Sequence, residues 1–170
     1  PEMIKYILDI YLEKGLDLEC KTNNKWKPIH FICRHSTPEM IKYILDIYIK
    51  QKLNLECETN DENRPIHYIC ENSTPEMIKY ILDIYLEKKY DLDCEAKDKW
   101  KPIHCICRHS TPEMIKYILD IYVEKGLDLE CENKNKWRPI HFICCFSTPE
   151  MMKYILDIYI KKNLNLECEI

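Results

Sequence analysis

The sequence predicts an all-α fold, a solenoid of stacked helix-turn-helix repeats with hairpin-like tips. Three observations carry this reading. A stretch running Ser36-Thr37-Pro38-Glu39-Met40-Ile41-Lys42-Tyr43-Ile44-Leu45-Asp46-Ile47-Tyr48 returns in near-copy from Pro1, Pro75, Pro112 and Pro149, at a constant period of 37 residues. Its apolar residues follow helical spacing. Between its copies a second, shorter segment led by proline, Pro28 to His35, returns in the same phase. Units of this size cannot bury an apolar face alone and do so by stacking on their neighbours.

The long helix comes first. Met40, Ile41, Ile44, Leu45, Ile47 and Tyr48 leave one narrow polar stripe of Glu39, Lys42, Asp46 and Lys50, so the helix must be covered on most sides. Lys42, Asp46 and Lys50 add i,i+4 pairing on the wet face. Thr37 is the predicted N-cap, with Pro38 at the first helical position, where a missing N–H costs nothing. The predicted stops are Gly15, Gly126 and Asn163, which accept a left-handed backbone; Lys52 and Lys89 stand in the other two units and predict less regular ends.

A leucine-rich return follows, as in Leu16-Asp17-Leu18-Glu19-Cys20, and then a polar tip such as Lys21-Thr22-Asn23-Asn24-Lys25-Trp26, whose composition is turn chemistry. The short helix closes each unit. Nine of the eleven cysteines fall in two repeat slots: Cys20, Cys57, Cys94, Cys131 and Cys168, and Cys33, Cys70, Cys107 and Cys144. Equivalent slots of stacked units lie roughly 8–10 Å apart, beyond the roughly 7 Å that a disulfide allows between Cα atoms. Small buried reduced thiols are therefore expected. Cys105, Cys107 and His109 do not share a helix face, and no Cys-x-x-Cys is present, so no metal is expected.

Over 170 residues the formal net charge is −4, which argues against a general nucleic-acid or membrane-surface binder. With no long apolar run, signal peptide or lipidation motif, the sequence reads as intracellular and cytoplasmic, without membrane insertion. The expected organisation is a single array over residues 1–170, a partial unit at 1–20 followed by four 37-residue periods. Neither end carries a polar-faced capping unit, which predicts a piece of a longer array and end-to-end self-association through the uncovered flanks.

Pro28-Ile29-His30-x-Ile32-Cys33, then Glu39-Met40-Ile41-Lys42-Tyr43-Ile44-Leu45, then Leu53-Asn54-Leu55-Glu56-Cys57 resembles the ankyrin repeat, in register through the whole chain. The resemblance implies a non-enzymatic scaffold that binds another protein through hairpin tips and the concave short-helix face, with no cofactor and no small-molecule substrate. It also implies that His30, His67, His104 and His141 make structural hydrogen bonds. Three departures stand out. Four extra residues per period lengthen the outer helix to about 14 residues, or about 21 Å. The tip lacks the family's usual Asp and Gly, which leaves its turn geometry open. Finally, the motif's threonine is a cation, Lys27, Arg64, Lys101 or Arg138; it loses a cap and faces the positive helix end, so an ion pair to Glu19, Glu56, Asp93, Glu130 or Glu167 or a solvated side chain must make up for it.

In a solenoid, function resides where units differ. The resemblance places the partner surface at Asn24, Trp26, Arg34 and His35, then Asp61, Asn63, Glu71 and Asn72, then Asp98, Trp100, Arg108 and His109, then Asn135, Trp137, Cys145 and Phe146. Among these the candidate anchors are Trp26, Arg34, His35, Trp100, Arg108, His109, Trp137 and Phe146, since Trp and Arg dominate interface energetics. The alternative for each Trp is to lie on its own tip against Pro and Lys stems. No phosphate loop, carboxylate pair or nucleophile elbow is present, and Cys33 and His35 point apart on their helix, so catalysis is not expected. Two rival functions stay open: a structural spacer, and single-stranded nucleic-acid binding by Trp stacking with Lys97, Lys99, Lys101, Lys134, Lys136 and Arg138.

Overall fold

A computed structural model describes residues 2–166. Cys168 and Glu167, each assigned a repeat slot above, lie outside the described residues. The chain divides into two compact units, Pro1–Tyr90 and Asp91–Ile170. Unit 1 holds α1 (Glu2–Glu13), α2 (Pro28–His35), α3 (Pro38–Gln51), α4 (Pro65–Asn72) and α5 (Pro75–Lys88). Unit 2 holds α6 (Pro102–His109), α7 (Pro112–Lys125), α8 (Pro139–Phe146) and α9 (Pro149–Lys162), with a 3-10 turn at Lys97–Lys99. No helix among the described residues is long and apolar enough to cross a membrane.

Each unit is two-layered. In unit 1 the short helices α2 and α4 pack side by side, the long helices α1, α3 and α5 form the second layer, and α2 pairs with α3 as α4 does with α5. Unit 2 repeats the plan with α6 on α8, α7 on α9, and the pairs α6–α7 and α8–α9. The long helices from α3 onward are 14 residues each. Their polar stripe is exposed as its spacing requires, while six residues of α3, Met40, Ile41, Ile44, Leu45, Ile47 and Tyr48, are buried. Burying such side chains stabilises by about 1.5–3 kcal/mol each, which explains why helices this apolar demand neighbours.

Two kinds of polar tie lock successive repeats within a unit. Tyr48, Tyr85, Tyr122 and Tyr159 are fully buried, and each phenol donates to a leucine carbonyl of the preceding return: Leu18 at 2.8 Å, Leu55 at 3.2 Å, Leu92 at 3.1 Å and Leu129 at 2.6 Å. Near the outer surface, Tyr43, Tyr80 and Tyr154 donate to Asp9, Asp46 and Asp120 of the preceding long helix. Lys5, Lys42 and Lys116 lie over the same three rings at 5.3, 5.4 and 5.2 Å. A buried phenol without an acceptor would cost about 1–3 kcal/mol, so these bonds set the register of the stack.

Helix ends depart from expectation in one respect. Lys52 (φ 56, ψ 36) and Lys89 (φ 58, ψ 37) take the same left-handed conformation as Gly126 and Asn163, so these ends are as regular as the others. The following N–H closes back on the helix in every case, Leu53 to Tyr48 O at 2.8 Å and Tyr90 to Tyr85 O at 2.9 Å like Leu127 to Tyr122 O at 2.9 Å. That backbone bond, with an apolar residue folding over the last turn, holds a lysine where glycine would sit without strain. At the helix starts, Thr74, Thr111 and Thr148 accept from the N–H of Met77, Met114 and Met151, and Thr37 holds the same backbone position.

The cysteine slots are buried at Cys33, Cys57, Cys70, Cys94, Cys107 and Cys131 but exposed at Cys20 and Cys144, so burial is not a property of the slot alone. Cys57 and Cys131 lie under the imidazoles of His30 and His104, with Sγ 3.6 Å from Nε2.

Candidate functional site: an aromatic cleft at the tips of unit 2

The site is built on four copies of one hairpin. In the first, Thr22 N–H donates to Trp26 O at 2.9 Å, Lys25 N–H to Thr22 O at 2.9 Å, and Lys25 turns the corner at φ 60. Thr59 and Asn63 close the second at 3.1 Å with Glu62 at φ 59, and Asn133 and Trp137 the fourth at 3.0 Å with Lys136 at φ 66. The third closes between Ala96 and Trp100 at 2.7 Å with Asp98 and Lys99 both at positive φ. Tight turns therefore form without the glycine such positions favour. Side chains replace it: Asn133 Oδ1 accepts from the N–H of Asn135 at 2.9 Å and of Trp137 at 3.1 Å, and Thr22 Oγ1 accepts from Trp26 N–H at 3.2 Å. Tips are joined within each unit, Asn60 N–H to Asn24 O at 3.0 Å in unit 1 and Lys134 N–H to Asp98 O at 2.8 Å in unit 2.

Beneath each tip the cation that stands for the motif's threonine meets its acid. Lys27 pairs with Glu19. Arg64 reaches Glu56 at 3.0 Å and Glu58 at 3.0 Å, Lys101 reaches Asp93 at 2.6 Å, and Arg138 reaches Glu130 at 3.6 Å. The same residues' backbone N–H groups donate to Nδ1 of the histidine three positions on, at 2.9 Å for His30, 3.1 Å for His67, 3.1 Å for His104 and 2.8 Å for His141. Because Nδ1 accepts, Nε2 carries the proton, and it donates to Cys57 O from His30 and to Cys131 O from His104, each at 3.0 Å. Burial and the neighbouring cation hold both imidazoles below their ordinary pKa and therefore neutral. All four imidazoles thus clasp tip to helix, and those of His30 and His104 also tie their short helix to the return that follows, as a structural role requires.

In unit 2 this scaffold sets Trp100 and Trp137 on adjacent tips around Phe142 of α8, with ring centroids 5.4 and 4.9 Å from it. Arg108, from the last turn of α6, lies over Trp100 at 5.6 Å. Together with Phe146, Asn133 and Asn135 they line a cleft of about 240 Å³. Both tryptophans are half-buried, and Phe146 is 60% exposed. The cleft offers apolar walls, the exposed amide of Asn135 and one guanidinium, while the amide of Asn133 beneath it is buried.

Four of the eight sequence-derived anchors, Trp100, Arg108, Trp137 and Phe146, share this cleft. His109 is exposed at the end of α6 and does not line it. In unit 1 Trp26 stacks on Phe31 at 4.8 Å and Tyr68 at 5.1 Å, and Arg34 lies over Trp26 at 5.5 Å and Tyr68 at 5.7 Å. His35 turns away from them and lines an apolar hollow of about 440 Å³ with Ile4, Ile7, Tyr11, Phe31 and Ile32. The tryptophans pack on aromatic rings of the short helices.

Phe142, Tyr68 and Asn133 are absent from the sequence-derived set. The signal for the first two lay in their slot, which reads Phe31, Tyr68, Cys105 and Phe142 and so varies where the rest of the short helix repeats. Among the described residues no three His, Cys, Asp or Glu side chains converge to hold a metal. The sequence is similar to the family model for ankyrin repeats, in three copies, over residues 1–91 and 81–166. No curated protein matches it.

Proposed function

Since the chain belongs to the ankyrin-repeat family, we propose that it is a non-enzymatic scaffold that docks a protein partner through its hairpin tips and the exposed side of its short helices, anchored in the cleft of unit 2. Ankyrin repeats are in general protein–protein interaction modules, and the partner surface is this chain's own. The observation that carries the reading is the convergence of Trp100, Trp137, Phe142 and Phe146 with Arg108 in one open cleft. Partly desolvated Trp and Arg are the side chains that most often dominate binding energy. The 37-residue period runs through residue 90 without a change of phase, which supports reading residues 1–170 as one array.

Nucleic-acid binding is the weaker reading, because four of the six cations it would use are matched by acids. Lys101 pairs with Asp93, Lys134 with Asp98, Lys136 with Glu132 and Arg138 with Glu130. A phosphate backbone would have to displace those acids before releasing any counterions.

The test uses the native partner, recovered by cross-linking and then titrated in purified form. Trp100→Ala and Trp137→Ala should each weaken binding about thirtyfold, the equivalent of about 2 kcal/mol, with melting nearly unchanged. Asn63→Ala, at the matching position of unit 1, should do little. If both tryptophan variants bind normally and melt several degrees lower, the rings are hairpin packing and the array is a spacer or binds elsewhere.

A further inference from the structure

The Trp–Arg clamp occurs in both units, and the two copies differ in charge. Two periods back, Trp100, Arg108 and Phe142 become Trp26, Arg34 and Tyr68, which make the same stack. In unit 1 the acids Asp61 and Glu71 act on the Tyr68 phenol as Arg34 does, so negative charge stands beside that stack. The matching positions in unit 2 are Asn135 and Cys145, both neutral. The acids that remain near the cleft are occupied: Asp98 with Lys134 at 3.0 Å, Glu132 with Lys136 at 2.8 Å, Asp93 with Lys101 at 2.6 Å. No carboxylate among the described residues pairs with Arg108, which is exposed. In the same cleft Asn63 and Asn72 of unit 1 give way to Trp137 and Phe146. Unit 2 has thus lost two acids around its clamp and gained two aromatic walls.

Resting on the docking role proposed above, we propose that the segment of the partner that enters this cleft is an acidic apolar peptide. A large apolar side chain enters among Trp100, Trp137 and Phe146, and an adjacent Asp or Glu places its carboxylate on Arg108. A guanidinium held over a ring keeps its in-plane N–H donors for an acceptor, and a carboxylate matches their geometry with two parallel bonds. The exposed amide of Asn135 lines the cleft beside the incoming backbone. A methylated lysine, which also selects aromatic clefts, is disfavoured because Arg108 already lies over Trp100 and repels a second cation.

The test is direct titration of the 170-residue chain with acetylated nonapeptides that carry one central Leu, Phe or Trp and Asp, Asn or Lys at the flanking positions. The best Asp peptide should bind about tenfold tighter than its Asn twin, and the gap should narrow as salt is raised. Arg108→Gln should erase the gap between the Asp peptide and its Asn twin, and Arg108→Lys should keep part of it. Asn135→Asp with Cys145→Glu, which restores the acids of unit 1, should erase it with Arg108 intact. The inference is overturned if Asn or Lys twins bind as tightly as Asp peptides, if the preference survives Arg108→Gln, or if no peptide binds. Charge-indifferent binding that Trp100→Ala abolishes sinks the acidic partner and leaves the docking role standing. The docking role itself fails only when the tryptophan variants bind the native partner normally.

Discussion

At the scale of single residues, the left-handed corners show how far context can override propensity. Eight non-glycine residues among those described have positive φ, against only Gly15 and Gly126. Lysine in that conformation costs roughly 1–2 kcal/mol, part of which glycine would give back through its freer unfolded chain. We therefore expect Lys89→Gly to stabilise the protein by about 0.5–1 kcal/mol, read as a higher urea midpoint with an unchanged slope. A drop in stability would mean that the lysine stem contributes packing not accounted for by its backbone. The sequence marked Lys52 and Lys89 as weak stops because residue preference was the only guide. The bond from Tyr90 N–H to Tyr85 O and the edge contact of the two rings at 5.3 Å, which keep the corner closed, are tertiary facts. The cations at Lys27, Arg64, Lys101 and Arg138 are a similar case. Their acids stand eight residues before them, within reach only once the hairpin forms.

At the scale of elements, the short helix is where the histidine clasp couples folding to pH. His30 and His104 are held neutral by burial, and protonating Nδ1 would replace the acceptor with a donor facing the N–H of Lys27 and Lys101. A lowered folded-state pKa means that the unfolded chain takes up protons first. The contribution of the clasp is whole above the ordinary value of 6.5 and is lost as pH falls from there through the lowered folded values. Urea midpoints should decline from pH 7.5 to 5, and His30→Gln with His104→Gln should flatten the decline while lowering the plateau by about 1 kcal/mol for each lost bond. A midpoint that holds or rises on acidification would refute this. The helices themselves were legible from the chain because proline opens each and the 3.6-residue pattern fills each. The cleft was only half legible: Trp100, Arg108, Trp137 and Phe146 announced themselves as departures from the repeat. Phe142, the ring on which both tryptophans pack, looked like one more apolar residue of a short helix. His35 and His109 shared the right slot, but which side of the helix end faces the tips depends on packing that spacing alone does not report.

At the scale of the whole molecule, burial is thinnest in the first long helix of unit 1 and in the last long helix of unit 2. In unit 1, α1 buries only Leu8, whereas α3 and α5 bury six residues each. In unit 2, α9 buries Met151, Ile155 and Tyr159 against six residues of α7. A repeat array has a stability made of units plus their interfaces, so the thinly buried helix of each unit should open before its neighbours. Amide hydrogen exchange should protect α3 and α5 at least tenfold longer than α1, and α7 longer than α9; equal protection would show that each unit opens as one cooperative body. The same grading applies to the thiols. Burial pushes Cys57 up to about 11 and Cys131 up to about 12, while Cys20, Cys144 and Cys145 are open to solvent. An alkylating reagent at neutral pH would mark those three at once and each of the seven buried described thiols only when its own repeat parts. The chain thus carries, at near-regular intervals along its length, a chemical tape on which the order of its local openings can be written and later read by peptide mass.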